Sequence, residues 1–179
     1  MAFRKTLCLP LAAFVLSLPA FADSPKGVDN FHQINEHLYR GAQPTADGFR
    51  ALAQLGVKTV LDLRESGNRS VEEKKAVEAA GMRYINMPFA GFSAPSPEQI
   101  AKVLAIFNDD SAGPVFVHCR RGADRTGTVV ACYRISHDHW TNARALAEAK
   151  ADRMSWTEFA MHGFVQHYQA PQLPVAATN

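Results

Sequence analysis

The sequence lacks any strong excess of charge of one sign. Its 19 Lys and Arg residues nearly balance 17 Asp and Glu residues, so the formal net charge at pH 7 is +2. Lys and Arg also form no continuous run anywhere in the chain. Proteins that bind nucleic acids usually carry a basic patch or tail. The composition therefore argues against a nucleic acid as the partner of this protein.

Cysteine is scarce as well, with 3 residues in the whole chain. Cys119 and Cys132 are the two that follow the first 22 residues. Cys132 lies roughly 9–10 Å along the helix predicted after Cys119, which makes a disulfide between them awkward. The sequence therefore predicts no disulfide framework, and it predicts Cys132 to be a small buried core residue.

Long apolar runs are absent except near the beginning of the sequence. Arg4 and Lys5 precede an apolar stretch over 7–18, and Ala20-Phe21-Ala22 then offers small residues for cleavage. This layout is typical of a secretory signal peptide, and the apolar stretch is too short to span a bilayer. We therefore expect a signal peptide over 1–22 and export to a periplasm or beyond; the alternative is a buried N-terminal helix.

Strands and helices are predicted to alternate through a single domain over 23–179, with a frayed tail from Gln169. The pattern favours an α/β fold with a central, mostly parallel sheet flanked by helices. Trp156, Phe159, Phe164 and Val165 are expected to pack the last helix against the core. The predicted strands are 57–64, 82–87 and 114–119. Three predicted helices begin after caps at Thr45, Ser70 and Ser96. The others begin past Gly127, at 140–142 and past Trp156.

The stretch 115–127 reads as a buried strand, a short polar loop and then a helix beginning near Thr128. Such a loop receives the free backbone N–H groups and the positive end of the dipole of the helix that it opens. In parallel sheets ligands sit beyond the carboxyl ends of the strands. The sequence therefore predicts an anion-binding site at this loop.

Five residues in and beside this loop carry reactive or supporting chemistry. Cys119, at a helix N-terminus and near arginine, is expected to be a thiolate nucleophile at neutral pH. Arg125 offers a planar fork that can hold two oxygens of a phosphate, and Thr126 can hydrogen-bond the sulfur. Gly122 permits the backbone conformation of a tight loop. His118 is expected to brace the backbone of the cysteine, with simple packing as the alternative.

The segment 118–127 resembles the H-C-x5-R-[ST]-G signature of the cysteine-dependent protein tyrosine and dual-specificity phosphatases. Segments 38–44 and 60–64 also resemble parts of small members, and the resemblance covers about 38–169. It implies a phosphatase-like three-layer sandwich, a phosphocysteine intermediate on Cys119, transition-state stabilisation by Arg125, and no metal or cofactor. It also implies phosphate binding by Arg120, Arg121, Gly122, Ala123, Asp124 and Arg125.

One departure from the family concerns the general acid, which usually lies on a loop corresponding to 89–95. No Asp or Glu occurs there, and loss of such an acid typically lowers the rate by about 10²–10⁴-fold. Asp124 is the favoured replacement, although it could instead brace the loop by pairing with an arginine. Glu98 or water could also supply the proton, or a substrate with a good leaving group could do without it; Asp62 is a weaker candidate.

The substrate stays open between phosphotyrosine, phosphoserine or phosphothreonine, phosphoinositides and inositol phosphates. Arg120 and Arg121 either add positive potential around the loop or are ordinary solvated side chains. The expected partner is a phosphorylated protein or small molecule, and the protein is expected to be a monomer with no membrane span. Competing hypotheses are a rhodanese-like sulfurtransferase, which has no need of Arg125 and Thr126 at this spacing, and a non-catalytic phosphate-binding module.

Overall fold

Strands and helices alternate along residues 24–171, which are the residues described by the computed structural model. The predicted signal peptide and the last part of the predicted tail lie outside them. None of the helices in this range is both long and apolar enough to cross a membrane. The strands are β1 (His32–Gln33), β2 (Leu38–Ala42), β3 (Thr59–Asp62), β4 (Arg83–Asn86) and β5 (Val115–Cys119). The helices are α1 (Ala46–Gln54), α2 (Asn68–Ala79), α3 (Pro97–Phe107), α4 (Asp124–Ser136), α5 (Asn142–Ala151) and α6 (Phe159–His167), with a 3₁₀ turn at Asp110–Ala112.

The strands form one sheet in the order β1-β2-β5-β3-β4. β2, β5, β3 and β4 run parallel, and only the short β1 pairs antiparallel with its neighbour. The register places Ala42 beside Cys119 on one flank of β5 and Asp62 beside His118 on the other. The predicted α/β fold is therefore confirmed, and β5 ends between the carboxyl ends of β2 and β3.

Helices cover both faces of this sheet. Val60 and Phe116 lie in an apolar cluster with residues of α1 and α2, whereas Leu61 and Val117 lie in a cluster with residues of α3 and α4. Side chains of successive strand residues point to opposite faces, so each buried strand supplies both cores. The result is a three-layer sandwich, with α5 and α6 packed against the outer side of α4.

Of the three helix caps predicted at Thr45, Ser70 and Ser96, two are confirmed and one is wrong. The hydroxyls of Thr45 and Ser96 accept hydrogen bonds from backbone N–H groups three residues later, as N-caps do. Ser70 instead lies inside α2. Its hydroxyl accepts from the N–H of Gly67 at 2.9 Å and donates to the Gly67 carbonyl, so the helix begins earlier than the side-chain type alone suggested.

The expected packing of Trp156 and Phe159 is also wrong, because their exposed fractions are 77% and 69%. α6 turns Met161 and Val165 toward the core, and these two residues are one helical turn apart on one face. Phe159 lies on another side of the same helix, and Trp156 belongs to the preceding loop. Of the predicted set, Val165 is buried and Phe164 packs against the core.

Candidate active site

Cys119 is the last residue of β5, and the loop after it is shorter than the sequence indicated. α4 begins at Asp124 rather than near Thr128, and the N–H of Gly127 already donates to the Ala123 carbonyl at 2.6 Å. Only residues 120–123 therefore separate the strand from the helix. The free N–H groups and the positive end of α4 consequently lie at the loop that follows Cys119.

Gly122 fixes the shape of this loop. Its φ of 66° lies in the left-handed region, and a Cβ there would overlap the backbone of Gly41 and Ala42 in β2. Arg40 holds the loop from the same strand by donating to the Gly122 carbonyl at 2.6 Å and to Oδ2 of Asp152 at 2.7 Å. Burial lowers the pKa of the Arg40 guanidinium, although the Asp152 carboxylate opposes that shift. Sequence reasoning assigned no role to Arg40.

His118 lies behind the nucleophile loop and is fully buried. Its Nδ1 is 3.3 Å from the carbonyl oxygen of Cys119, the contact that the predicted bracing role requires. Its Nε2 is 2.8 Å from Oε1 of Glu73, but these atoms are not aligned as a hydrogen bond. Glu73, which sequence reasoning treated only as a first-turn helix residue, is thus the charged neighbour of His118.

Arg64 and Asp62 continue this buried cluster. Arg64 donates to both oxygens of Asp62, at 2.8 and 2.6 Å, and to Oε2 of Glu73 at 2.6 Å. The Tyr84 hydroxyl also donates to Asp62, at 2.8 Å. Burial alone would raise the pKa of Asp62, but the hydrogen bonds from Arg64 and the nearby His118 outweigh it and hold that pKa below its usual value. Asp62 is therefore an engaged, ionised carboxylate rather than a proton donor.

Asp62, Glu73 and His118 each offer a ligand atom within 4.8 Å of the others, which is a spacing that a metal ion could use. The Arg64 guanidinium already lies against both carboxylates, however. A cation would have to displace this guanidinium or share the two carboxylates with it. The cluster is thus built as an ion-pair network, and we assign it no metal.

A cavity of about 420 Å³ opens on the other side of the loop. Of the four arginines that line it, Arg64 belongs to the buried cluster. Arg69, Arg120 and Arg125 take part in none of the ion pairs among residues 24–171. α2 begins at this cavity, so the positive end of a second helix dipole adds to its potential. The full lining is Gln43, Arg64, Glu65, Ser66, Gly67, Asn68, Arg69, Arg120 and Arg125.

Arg125 and Thr126 lie in the first turn of α4, and the predicted hydrogen bond from Thr126 to the sulfur of Cys119 is not formed. The Arg125 side chain makes one long hydrogen bond, 3.4 Å to the Phe89 carbonyl, so its guanidinium remains available to a ligand. The Thr126 hydroxyl is fully buried and has no hydrogen-bond partner in the described part of the chain. Cys132 lies further along α4, where burial raises the pKa of its thiol well above the usual value. Both of these cysteines are free, and Cys119 is the one that lies at the loop.

Asp124 has both carboxylate oxygens occupied. Arg121 donates to Oδ2 at 2.5 Å, and the backbone N–H of Ser155 donates to Oδ1 at 2.8 Å. These contacts are those of the bracing alternative, in which Asp124 pairs with an arginine; its role as general acid stays a prediction. Arg121 therefore points away from the cavity and does not line it.

The Phe89 carbonyl of the 89–95 loop accepts a hydrogen bond from Arg125, and this loop contains no Asp or Glu. Glu98 is exposed at the start of α3, and a hydrogen bond with Ser96 lowers its pKa, so it favours the ionised form. A buried carboxyl that sequence reasoning missed, Glu158, precedes α6. No motif marks it, because its place near the loop depends on how α6 packs.

Comparison with known proteins agrees with this geometry. A family model described as "DSP-PTPase phosphatase fused to NAD+ Kinase" matches residues 19–167. The dual specificity protein phosphatase TpbA of Pseudomonas aeruginosa is 29% identical over 130 residues, covering 73% of this chain and 57% of TpbA. Inositol diphosphatase DSP2 of Oryza sativa is 28% identical over 116 residues, covering 59% of this chain and 53% of that protein.

The crystal structure of P. aeruginosa TpbA has a TM-score of 0.67 to this chain at 25% identity, covering 82% of this chain and 92% of that one. The chain spans a little over half the length of the two curated relatives. The family model nevertheless covers most of the chain, including the whole nucleophile loop. The chain therefore belongs to the dual-specificity branch of the cysteine-based phosphatases that this model describes.

Proposed function

We propose that this protein hydrolyses phosphate monoesters through a phosphocysteine intermediate on Cys119. The observation that carries the proposal is the placement of a cysteine at the end of β5, directly before an anion-binding loop that Arg125 closes. Arg125 has no carboxylate partner in the described part of the chain, which suits a group reserved for phosphate. Membership of the phosphatase family supports the same reaction.

The residues divide the reaction between them. The Cys119 thiolate attacks phosphorus, so that the S–P bond forms as the bond to the leaving oxygen breaks. Arg125 and the free N–H groups at the start of α4 face the charge that develops on the phosphate oxygens. Water then attacks phosphorus, the S–P bond breaks, and inorganic phosphate and the Cys119 thiolate are released.

The test compares wild type with Cys119→Ser on phosphotyrosine peptides and para-nitrophenyl phosphate. We expect Cys119→Ser to abolish turnover, because serine is not ionised at neutral pH, while phosphate binding remains. Cys132→Ser is the matched control and should keep activity, since that thiol is buried away from the loop. Full hydrolysis by Cys119→Ser would refute the covalent mechanism.

The four-arginine cavity favours a second candidate substrate, a small molecule that carries several phosphates. A single phosphate held by the loop and Arg125 leaves Arg69 and Arg120 without an anion, whereas a neighbouring phosphate would occupy them. One relative is named an inositol diphosphatase, which is consistent with this choice. A panel of phosphotyrosine and phosphoserine peptides, phosphoinositides and inositol phosphates would rank the two classes by kcat/KM.

We also propose that the protein is exported, with a signal peptide removed near Asp23. The support is the order of basic, apolar and small residues over 1–22. N-terminal sequencing of protein recovered from the periplasm or medium tests this. A chain that is retained inside the cell with its first 22 residues intact would contradict it.

A further inference from the structure

Cleavage of a phosphoester requires a proton for the leaving oxygen, and none of the residues assigned above supplies it. The 89–95 loop holds no carboxyl group. Asp124 lies in the nucleophile loop, but Arg121 and the Ser155 N–H occupy its two oxygens. Asp62 is held by Arg64 and Tyr84. Two further carboxyls lie by the site: Glu65 is exposed on the cavity wall, whereas Glu158 is shielded from solvent before α6.

The segment between α5 and α6 is fixed against the nucleophile loop at two points. Arg40 bridges the carboxylate of Asp152 to the carbonyl of Gly122, and the Ser155 N–H donates to Asp124. Glu158 ends this segment, directly before α6. These hydrogen bonds therefore fix the position of Glu158 relative to the loop.

Glu158 is a buried carboxyl whose side chain takes part in none of the hydrogen bonds or ion pairs of residues 24–171, and only 5% of the residue is exposed. Burial raises the pKa of Glu158, and the neighbouring Asp124 carboxylate raises it further. Arg121, Arg125 and His162 act in the opposite direction without cancelling the shift. These are the charged groups that the loop, α4 and α6 bring to it.

His162 adds a second unpaired polar group on the same side of α6. It lies one helical turn after Glu158, since its N–H donates to the Glu158 carbonyl. Its Nε2 is buried and has no hydrogen-bond partner among the described residues. Two adjacent polar side chains at the start of α6 thus lack a partner among the described residues, whereas the Asp124 carboxylate has two.

We propose that Glu158 is the proton donor of the phosphatase reaction, an inference that rests on the function proposed above. As the S–P bond forms and the P–O bond breaks, the carboxyl proton of Glu158 moves to the leaving oxygen. The resulting carboxylate then takes a proton from the water that attacks phosphorus. That second step releases inorganic phosphate and the Cys119 thiolate, and it restores the protonated Glu158.

The decisive experiment varies the leaving group in Glu158→Gln, which keeps the size of the side chain but removes its proton. With phenyl phosphate, whose leaving oxygen needs protonation, kcat/KM should fall by about 10²–10³-fold. With para-nitrophenyl phosphate, whose leaving group departs as an anion, it should fall by less than about fivefold. Retained activity on the second substrate also shows that the variant is folded.

The pH profile supplies a readout that a merely structural residue would not move. In wild type, kcat/KM for phenyl phosphate should decline as pH rises through the pKa of Glu158, because the acid must keep its proton. Glu158→Gln should lose this decline. Asp124→Asn removes the carboxylate that disfavours ionisation of Glu158, and it should move the decline to lower pH.

Glu72→Gln, an exposed change of the same type on α2, is the matched control and should behave as wild type. Equal losses on both substrates in Glu158→Gln would overturn the proposal, as would no loss on either. A selective loss in Glu65→Gln instead would name the exposed cavity-wall carboxyl as the donor and also overturn it. In each of these cases the phosphatase function would still stand if wild type is active and Cys119→Ser is not. An inactive wild type would refute both the phosphatase function and the role of Glu158.

Discussion

The charged residues behind the nucleophile loop and those in front of it differ in whether they are paired within the protein. The rear cluster consists of Asp62, Arg64, Glu73, Tyr84 and His118, and each member lies 2.6–2.8 Å from an oppositely charged or hydrogen-bonding partner. The front rim consists of Arg69, Arg120 and Arg125, which line a cavity and take part in no ion pair of the described residues. Arginine thus occurs in ion pairs behind the loop and, among the described residues, without an ion pair in front of it.

This difference separates positioning from binding. Burying a charge is costly unless it is paired, so the rear cluster can persist only as a complete network, and it orients His118 beneath Cys119. The front rim stays partly in solvent, where an unpaired guanidinium is tolerated and a phosphate can displace water from it. Substitutions in the two groups should therefore have different consequences, for stability in the first and for catalysis or affinity in the second.

The largest effect on stability is expected at Glu73. Glu73→Ala removes one of the two buried carboxylates beside Arg64 and His118 and leaves Asp62 as the other, which should reduce the free energy of unfolding by about 1–3 kcal/mol and the Tm by roughly 2–12 °C. Urea and thermal unfolding measure this. Glu72→Ala, next to it on the exposed side of α2, is the control. If the two variants are equally stable, the rear cluster does not hold the fold as described.

Arg125 should show the reverse pattern, a large effect on catalysis with little on stability. Arg125→Lys keeps the positive charge but loses the planar fork, so kcat/KM should fall by about 10²–10³-fold. The Tm should change little, because the Arg125 side chain is held in the protein by a single long hydrogen bond, to the Phe89 carbonyl. A lysine variant with wild-type turnover would show that charge alone is enough and would weaken the contrast between the front rim and the rear cluster.

Arg69 and Arg120 should have smaller effects that depend on the substrate. Each change to Ala should raise KM about fivefold for a substrate with two or more phosphates and leave a monophosphate nearly unaffected. Arg50→Ala, an exposed arginine on α1 away from the cavity, controls for the loss of one positive charge. Equal effects on mono- and multiphosphorylated substrates would mean that the front rim does not recognise a second phosphate.

The smallest effect concerns stability as a function of pH. The pKa of Asp62 is lowered by folding, so its contribution is present above its unfolded pKa of about 3.9 and is lost as pH falls further. The pKa of Glu158 is raised, so its contribution is present below about 4.3 and is lost as pH rises through the folded value. Urea unfolding between pH 3 and 7 should show a loss of stability at each end of this range. Glu158→Gln should remove only the loss that occurs as pH rises. If Glu158→Gln still loses stability above pH 4 as wild type does, that loss belongs to another group.

Much of the site was predictable because its central part is local in sequence. Cys119, Gly122, Arg125 and Thr126 lie within one strand, loop and helix start, so their spacing alone places them around one anion. The alternation of strands and helices likewise predicted the sheet and the ends of the strands at which the site lies. Boundaries were less certain: Ser70 looked like a cap, and α4 was expected to begin four residues too late.

What the sequence determined by itself is the nucleophile loop, since neighbouring residues and backbone geometry are sufficient to form it. Only the tertiary structure decided which side chains from distant segments lie against that loop. Arg40, Glu73 and Glu158 come from three other segments, and they reach it through strand pairing and helix packing. The same packing occupied Asp124 with Arg121 and Ser155, and left Glu158 unpaired. A carboxyl acquires its role from the charges and donors that folding brings to it, and these do not follow from its place in the chain.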